Sequence, residues 1–141
     1  MNEMPKEQLL VVVGAVTNDR GEYLLTQRHE PENPVVHGRW EFPGGTHHFG
    51  ESLEQTVVRE LQEEVGITVA VGTLFAKPAM HIWNYTDRTI QILLVGFHCS
   101  YVSGTAKAKE EEIADVRWVK KEDFSQFDFF HTMQSFVDQL S

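Results

Sequence analysis

Between residues 53 and 65 an apolar residue recurs at every fourth position, Leu53, Val57, Leu61 and Val65, and the series stops at Gly66. A period near four belongs to a helix rather than a strand, and glycine most readily takes the left-handed turn that ends one. Ser52, followed three residues later by Gln55, forms a capping-box pair, so the spacing predicts a helix over about 53 to 65. At about 100° per residue the apolar stripe spans 0° to about 120° from Leu53, while Glu60, Glu63 and Glu64 fall at about −20°, −80° and 20°. Three acids crowd one flank of the face that must be buried.

Local physics opposes that arrangement. Acids three and four residues apart repel each other, and the last turn of a helix favours cations. Arg59 can reach Glu63 one turn on, but one guanidinium does not neutralise three carboxylates beside an apolar face. Hard divalent cations do, and a set of oxygen donors with no cysteine and no necessary histidine points to Mg²⁺, with Mn²⁺ as a substitute. The plainer alternative, a solvated acidic face, is disfavoured by the contact with the core stripe. Just upstream, Trp40-Glu41-Phe42-Pro43-Gly44-Gly45 reads as a short strand entering a turn. Its glycines are expected to adopt backbone angles closed to other residues and to let the chain approach an ion or phosphate.

Gly45, Glu51, Arg59-Glu60-Leu61, Glu63-Glu64 and Gly66-Ile67 fill nine specified positions over 23 residues. The segment resembles the Nudix box, and with Leu24-Leu25-Thr26-Gln27-Arg28 upstream the chain is most similar to the MutT-type members. The resemblance implies an αβα sandwich with a mixed β-sheet between helices, and release of pyrophosphate from nucleoside triphosphates. It implies Glu60, Glu63, Glu64 and the Gly44 carbonyl as metal ligands, Glu51 and Arg59 as the residues that orient them, and Arg28 as a phosphate contact. Losing such an orienting partner costs about 10 to 100-fold in affinity or activity. The family also suggests a glutamate from the loop before the last strand; within Glu110-Glu111-Glu112 the first choice is Glu112 and the second Glu111, against a solvated charge run. Glu64 or Glu112 would take up the proton from water. Phe42 and Asp128 are implied at the nucleobase, although Asp128 also reads as the cap of a terminal helix.

The remaining residues bound the function. With 41% hydrophobic and 11% aromatic content, residues 1–141 read as a single α/β domain. A net charge of −9 with scattered basic residues argues against a nucleic-acid polymer as partner, whereas a small nucleotide can bring its charge onto metal ions. The start of the chain carries Glu3, Lys6 and Glu7 instead of a basic leader, and Leu9 to Val13 is too short to span a membrane, so a cytoplasmic location is expected. Cys99 stands alone, which suits a reducing compartment and a packing role.

Residues 8–17 and 22–28 read as a β-hairpin, 30–39 as a loop at the substrate rim, and 68–77, 89–101 and 115–119 as strands. Residues 78–88 carry no decisive pattern, and 128–140 read as a terminal helix. The seven histidines show no metal spacing, and Trp83, Tyr85 and Trp118 read as packing. Nothing in the sequence sets the oligomeric state. Three functions fit: a Mg²⁺-dependent nucleoside triphosphate pyrophosphohydrolase; the same chemistry on ADP-ribose, a nucleotide sugar or a dinucleoside polyphosphate; or a nucleotide sensor without turnover.

Overall fold

The computed structural model describes residues 4–141, so Glu3 and the reading of the start of the chain lie partly outside the described residues. Among those residues, eight strands form one mixed sheet: β1 (Lys6–Thr17), β2 (Glu22–Arg28), β3 (Trp40–Glu41), β4 (Gly44–Thr46), β5 (Thr68–Leu74), β6 (Ala79–Asn84), β7 (Thr89–Ser103) and β8 (Ile113–Lys120). Helix α1 (Leu53–Val65), a 3₁₀ turn (Lys121–Gln126) and helix α2 (His131–Val137) complete the chain.

The expected hairpin is real only at its tip. β1 and β2 share one register pair, Thr17 with Tyr23, and then splay apart. β1 instead runs parallel to β7 along its whole length, and β2 pairs antiparallel with β8. The segment 40–46 wedges into the gap, bonding to β2 through Trp40 and Glu41 and to β1 through Gly44, Gly45 and Thr46. The Gly14 amide adds a bond to the Pro43 carbonyl at 2.9 Å.

Alternation along β1 feeds two cores. Val12 and Val16 pack with Val57, Leu61, Val65 and Ile67 of the α1 side, and Val13 and Ala15 pack with Phe42, Phe124, Met133 and Phe136 on the α2 side. The helices thus cover both faces of the sheet, an αβα sandwich. Gly14 lets α1 come close, since a β-carbon there would meet Val57 Cγ2 at 3.1 Å and Leu61 Cδ1 at 3.2 Å. No helix among the described residues is long and apolar enough to cross a membrane.

Helix α1 has the expected bounds, with both arms of the Ser52–Gln55 capping box made and Gly66 at φ 75° donating to the Gln62 carbonyl. The terminal helix is shorter than its pattern. Phe129 is tied to Trp40 by a β-bridge and the Trp40 amide bonds to the Asp128 carbonyl, so helical geometry starts only after Phe130. Residues 79–84, undecided in the sequence, form a strand because the long β7 offers them its free edge.

Candidate active site

Helix α1 presents Glu60, Glu63 and Glu64 to a cavity of about 510 Å³ that Gly44, Gly45, Arg28, Glu41, Glu110 and Glu112 also line. Glu60 and Glu64 are buried at 9% and 8% exposure, and Glu63 lies at the mouth with half its side chain exposed. Burying carboxylates this far is costly unless something positive answers them. Arg59 answers part of it. Its Nε and Nη2 donate to the two Glu51 oxygens at 2.6 and 2.9 Å, Nη1 to Glu60 at 2.8 Å and Glu63 at 3.2 Å, and Nη2 to the Thr46 carbonyl at 2.9 Å. The Glu51 carboxyl, bonded first of all by Arg59, is pulled down to about 2. Thr56 and the His48 amide, at 3.1 and 3.0 Å, complete its partners, so Glu51 is a fixed anchor for the arginine rather than a free acid.

Glu64 receives no such answer. Burial, then the charges of Glu41, Glu110 and Glu60, push its carboxyl well above the usual range, and Arg28 opposes them only weakly. Glu110 is raised to about 7 by its hydrogen bond with Glu112, by burial and by the box acids. The loop before β8 is brought there by backbone bonds: the Lys107 and Lys109 amides cap the Val65 and Glu64 carbonyls at 3.1 and 3.0 Å, and the His29 amide reaches the Glu112 carbonyl at 2.7 Å. Of the triplet, Glu110 and Glu112 both line the cavity; the charge of Glu110 acts on Glu64, and Glu110 in turn feels Glu60 and Glu63. The sequence marks the triplet and puts Glu112 first; the structure brings Glu112 to the cavity together with Glu110, and not Glu111.

The two glycines act through space rather than backbone angle, since neither is among the residues with positive φ. A β-carbon on Gly45 would overlap the Glu60 carboxylate, and one on Gly44 would overlap the Val12 carbonyl and Val13 Cα. This cradle, the all-oxygen donor set and a buried Glu64 whose ionisation has little positive support from the protein fit a hard divalent cation. The side chains are not drawn to a common point: no three acidic, histidine or cysteine side chains among the described residues form a ready ligand cluster.

Arg28 lies at the other end of the acidic wall. Its Nη2 reaches Glu41 at 3.1 Å, its Nη1 lies 3.7 Å from Glu30, and its Nε is buried without a partner. Glu41, not singled out in the sequence, is held above the usual carboxylate range by burial despite the arginine beside it. Its signal was a charged residue alternating with the buried Trp40 and Phe42.

The opposite wall is apolar. Val11, Val13, Ile92 and Leu94 line it with Trp83, Tyr85, Phe130 and Met133. Trp83 stacks on Phe130 with centroids 5.5 Å apart and planes 20° from parallel, and His81 bonds to His131 at 2.8 Å. Trp83 and Tyr85 therefore border the cavity, whereas Trp118 packs edge-on against Tyr101. Phe42 is buried at 1% exposure and offers the cavity only its edge of the core. Asp128 does not cap α2, whose N-cap is Phe130; it is exposed, bonds to Arg39 at 3.2 Å, and is not among the lining residues.

A family model described as the NUDIX domain matches residues 7–140. The 8-oxo-dGTP diphosphatase of Escherichia coli K12 is 44% identical over 86 residues, 61% of this chain, and the match spans only 63% of that relative's length. The CTP pyrophosphohydrolase of the same organism is 34% identical over 120 residues, 85% of this chain and 82% of the relative. Among solved structures, the MutT protein of Methanosarcina mazei Go1 superposes with a TM-score of 0.74 at 26% identity, covering 99% of this chain and 95% of that one. Acids on one helix flank, the glycine cradle before it and a match over nearly the whole length agree: the chain belongs to the Nudix hydrolase family.

Proposed function

We propose that the protein hydrolyses a nucleoside triphosphate to the monophosphate and pyrophosphate with Mg²⁺, Mn²⁺ serving in its place. The carrying observation is that one cavity joins a wall of carboxylates to a wall of aromatic and aliphatic side chains. A ligand that fills it must be polyanionic at one end, taken through cations, and flat and apolar at the other. A nucleotide is such a molecule. The names of the relatives, one acting on an oxidised purine and one on CTP, support the triphosphate class while leaving the base open.

Glu60, Glu63, Glu64 and the Gly44 carbonyl would hold the cations, with Glu112 and Glu110 facing them from the loop. When bound, the ions polarise the phosphoanhydride and lower the pKa of water at the site. The protein's own part is positional and electrostatic. Arg59, clamped by Glu51, fixes the rotamers of Glu60 and Glu63. Glu64, poorly compensated, is the carboxylate best placed to take up a proton from water. Arg28 meets the phosphate chain, and the stacked Trp83 and Phe130 give the base a face.

The test is turnover across nucleoside triphosphates, 8-oxo-dGTP and diphosphate conjugates such as ADP-ribose, with Mg²⁺ and product analysis. Release of pyrophosphate from at least one triphosphate is expected. Cleavage of conjugates alone, or binding without cleavage, overturns the proposal.

A further inference from the structure

An acid beside a phosphate site is a liability, because it repels the ligand. Glu41 is such an acid. It sits on β3, two residues before the glycine cradle's Pro43, and its charge is felt by Glu64 across the cavity. Its carboxylate meets Arg28 Nη2 at 3.1 Å through one oxygen and 3.3 Å through the other. Arg28 is itself pinned by its backbone, whose amide bonds to the Arg39 carbonyl at 2.8 Å and whose carbonyl accepts from Gly38 at 2.9 Å. Only the side chain is free to turn, and Glu41 is its nearest carboxylate, with Glu30 at 3.7 Å a weaker second. In this position the Arg28 Nε is sealed from water and bonded to nothing, so the rotamer is held by Glu41 at the expense of one donor.

We propose that Glu41 is a positioning residue that acts through Arg28, holding the guanidinium against the phosphate end of the cavity and sharing it with the incoming anion. This rests on the triphosphate reading of the same site. Two effects oppose each other here, and they predict opposite signs. If Glu41 acts only as a negative charge, its removal relieves repulsion and tightens binding of the anion. If it acts as a positioner, its removal frees a long side chain, and the anion must then order it, which weakens binding. Orienting partners of ligand-holding groups typically change affinity or activity by about 10 to 100-fold, more than a screened charge at a half-open site supplies.

The experiment is a double-mutant cycle on the full chain with Glu41→Gln, Arg28→Ala and both together, plus Glu41→Asp, each checked by thermal unfolding. Two readouts are taken: kcat and KM on the best triphosphate with Mg²⁺, and calorimetric binding of inorganic pyrophosphate with Mg²⁺. Glu41→Gln is expected to raise KM and weaken pyrophosphate binding about 10-fold with kcat within about 3-fold of wild type. The double variant should match Arg28→Ala alone, and Glu41→Asp should recover part of the loss. Tighter binding in Glu41→Gln, or effects that multiply in the double variant, overturns the inference. Should Glu41→Gln fail to fold, Glu41→Asp decides alone: its shorter arm must raise KM, and an unchanged KM refutes the role. Pyrophosphate binding reads the Glu41–Arg28 unit even in a chain that cleaves no triphosphate, so the two readings fail separately.

Discussion

Replacing Gly45 by alanine tests whether the cradle before α1 serves the site or the fold. An added methyl would lie 2.8 Å from Glu60 Oε1, with Oε2 and Cδ closer still. Ordinary contact needs about 3.5 Å or more, so the carboxylate must withdraw by about 1 Å. Glu60 is the end of a flexible side chain, so the fold can yield there, and thermal stability should stay within about 1 kcal/mol of wild type. The site cannot yield as easily, because a displacement near 1 Å of a group that positions the reaction costs about 100-fold, equivalent to about 2.7 kcal/mol of barrier. Gly44→Ala is the internal contrast. Its methyl would meet Val13 Cα at 2.6 Å and the Val12 carbonyl carbon at 2.9 Å, and backbone in the middle of a sheet has nowhere to go. Gly45→Ala should therefore fold and fail to turn over, and Gly44→Ala should fail to fold. Circular-dichroism melts and initial rates with Mg²⁺ read both, and a Gly45→Ala protein within 3-fold of wild-type kcat would refute the reasoning.

Three other outcomes follow from the electrostatics. Glu64→Gln should lower kcat by at least about 100-fold while the metal-free protein melts no lower than wild type, because a neutral isostere replaces a carboxyl whose charge burial already disfavours; an active variant sinks the role given to Glu64. Glu51 has a folded pKa depressed to about 2, so its contribution is present above its unfolded value near 4.5 and is lost as pH falls toward 2. Glu51→Gln should flatten that acid limb of the stability curve, and an unchanged limb in acid titrations speaks against the Arg59 clamp. Burial lifts the Cys99 thiol to about 12, so native protein should resist iodoacetamide at pH 8 and label only after urea unfolding; rapid labelling of folded protein contradicts the packing.

What could be read from the sequence was local, and what could not was long-range. Helix α1 was legible to the residue because its stripe, capping box and terminal glycine all act within a few positions. The wedge of residues 40–46 was not, because β1 and β2 look like neighbours until a later segment is inserted between them. β6 escaped for a similar reason: a strand at the edge of β7 takes its pairing from the longer partner, and its inward His81 and Trp83 carry no simple alternation of polarity. At the site, the box acids, Arg28 and Arg59 stood in recognisable spacing. Glu110 was not singled out beside Glu112, since which members of a charged triplet reach the cavity is set by how the loop caps α1. Asp128 was misplaced with the helix start, which the bridge to Trp40 delays.

The insertion of residues 40–46 between two central strands has a consequence for how such a chain can change over generations. Its glycine cradle is sewn into the middle of the sheet, whereas the aromatic lining hangs on a border strand and a two-turn helix. On the proposed reading, drift along that border would remake what the cavity accepts without loosening the cradle. Selectivity and reactivity would then be inherited on separate pieces of one small framework.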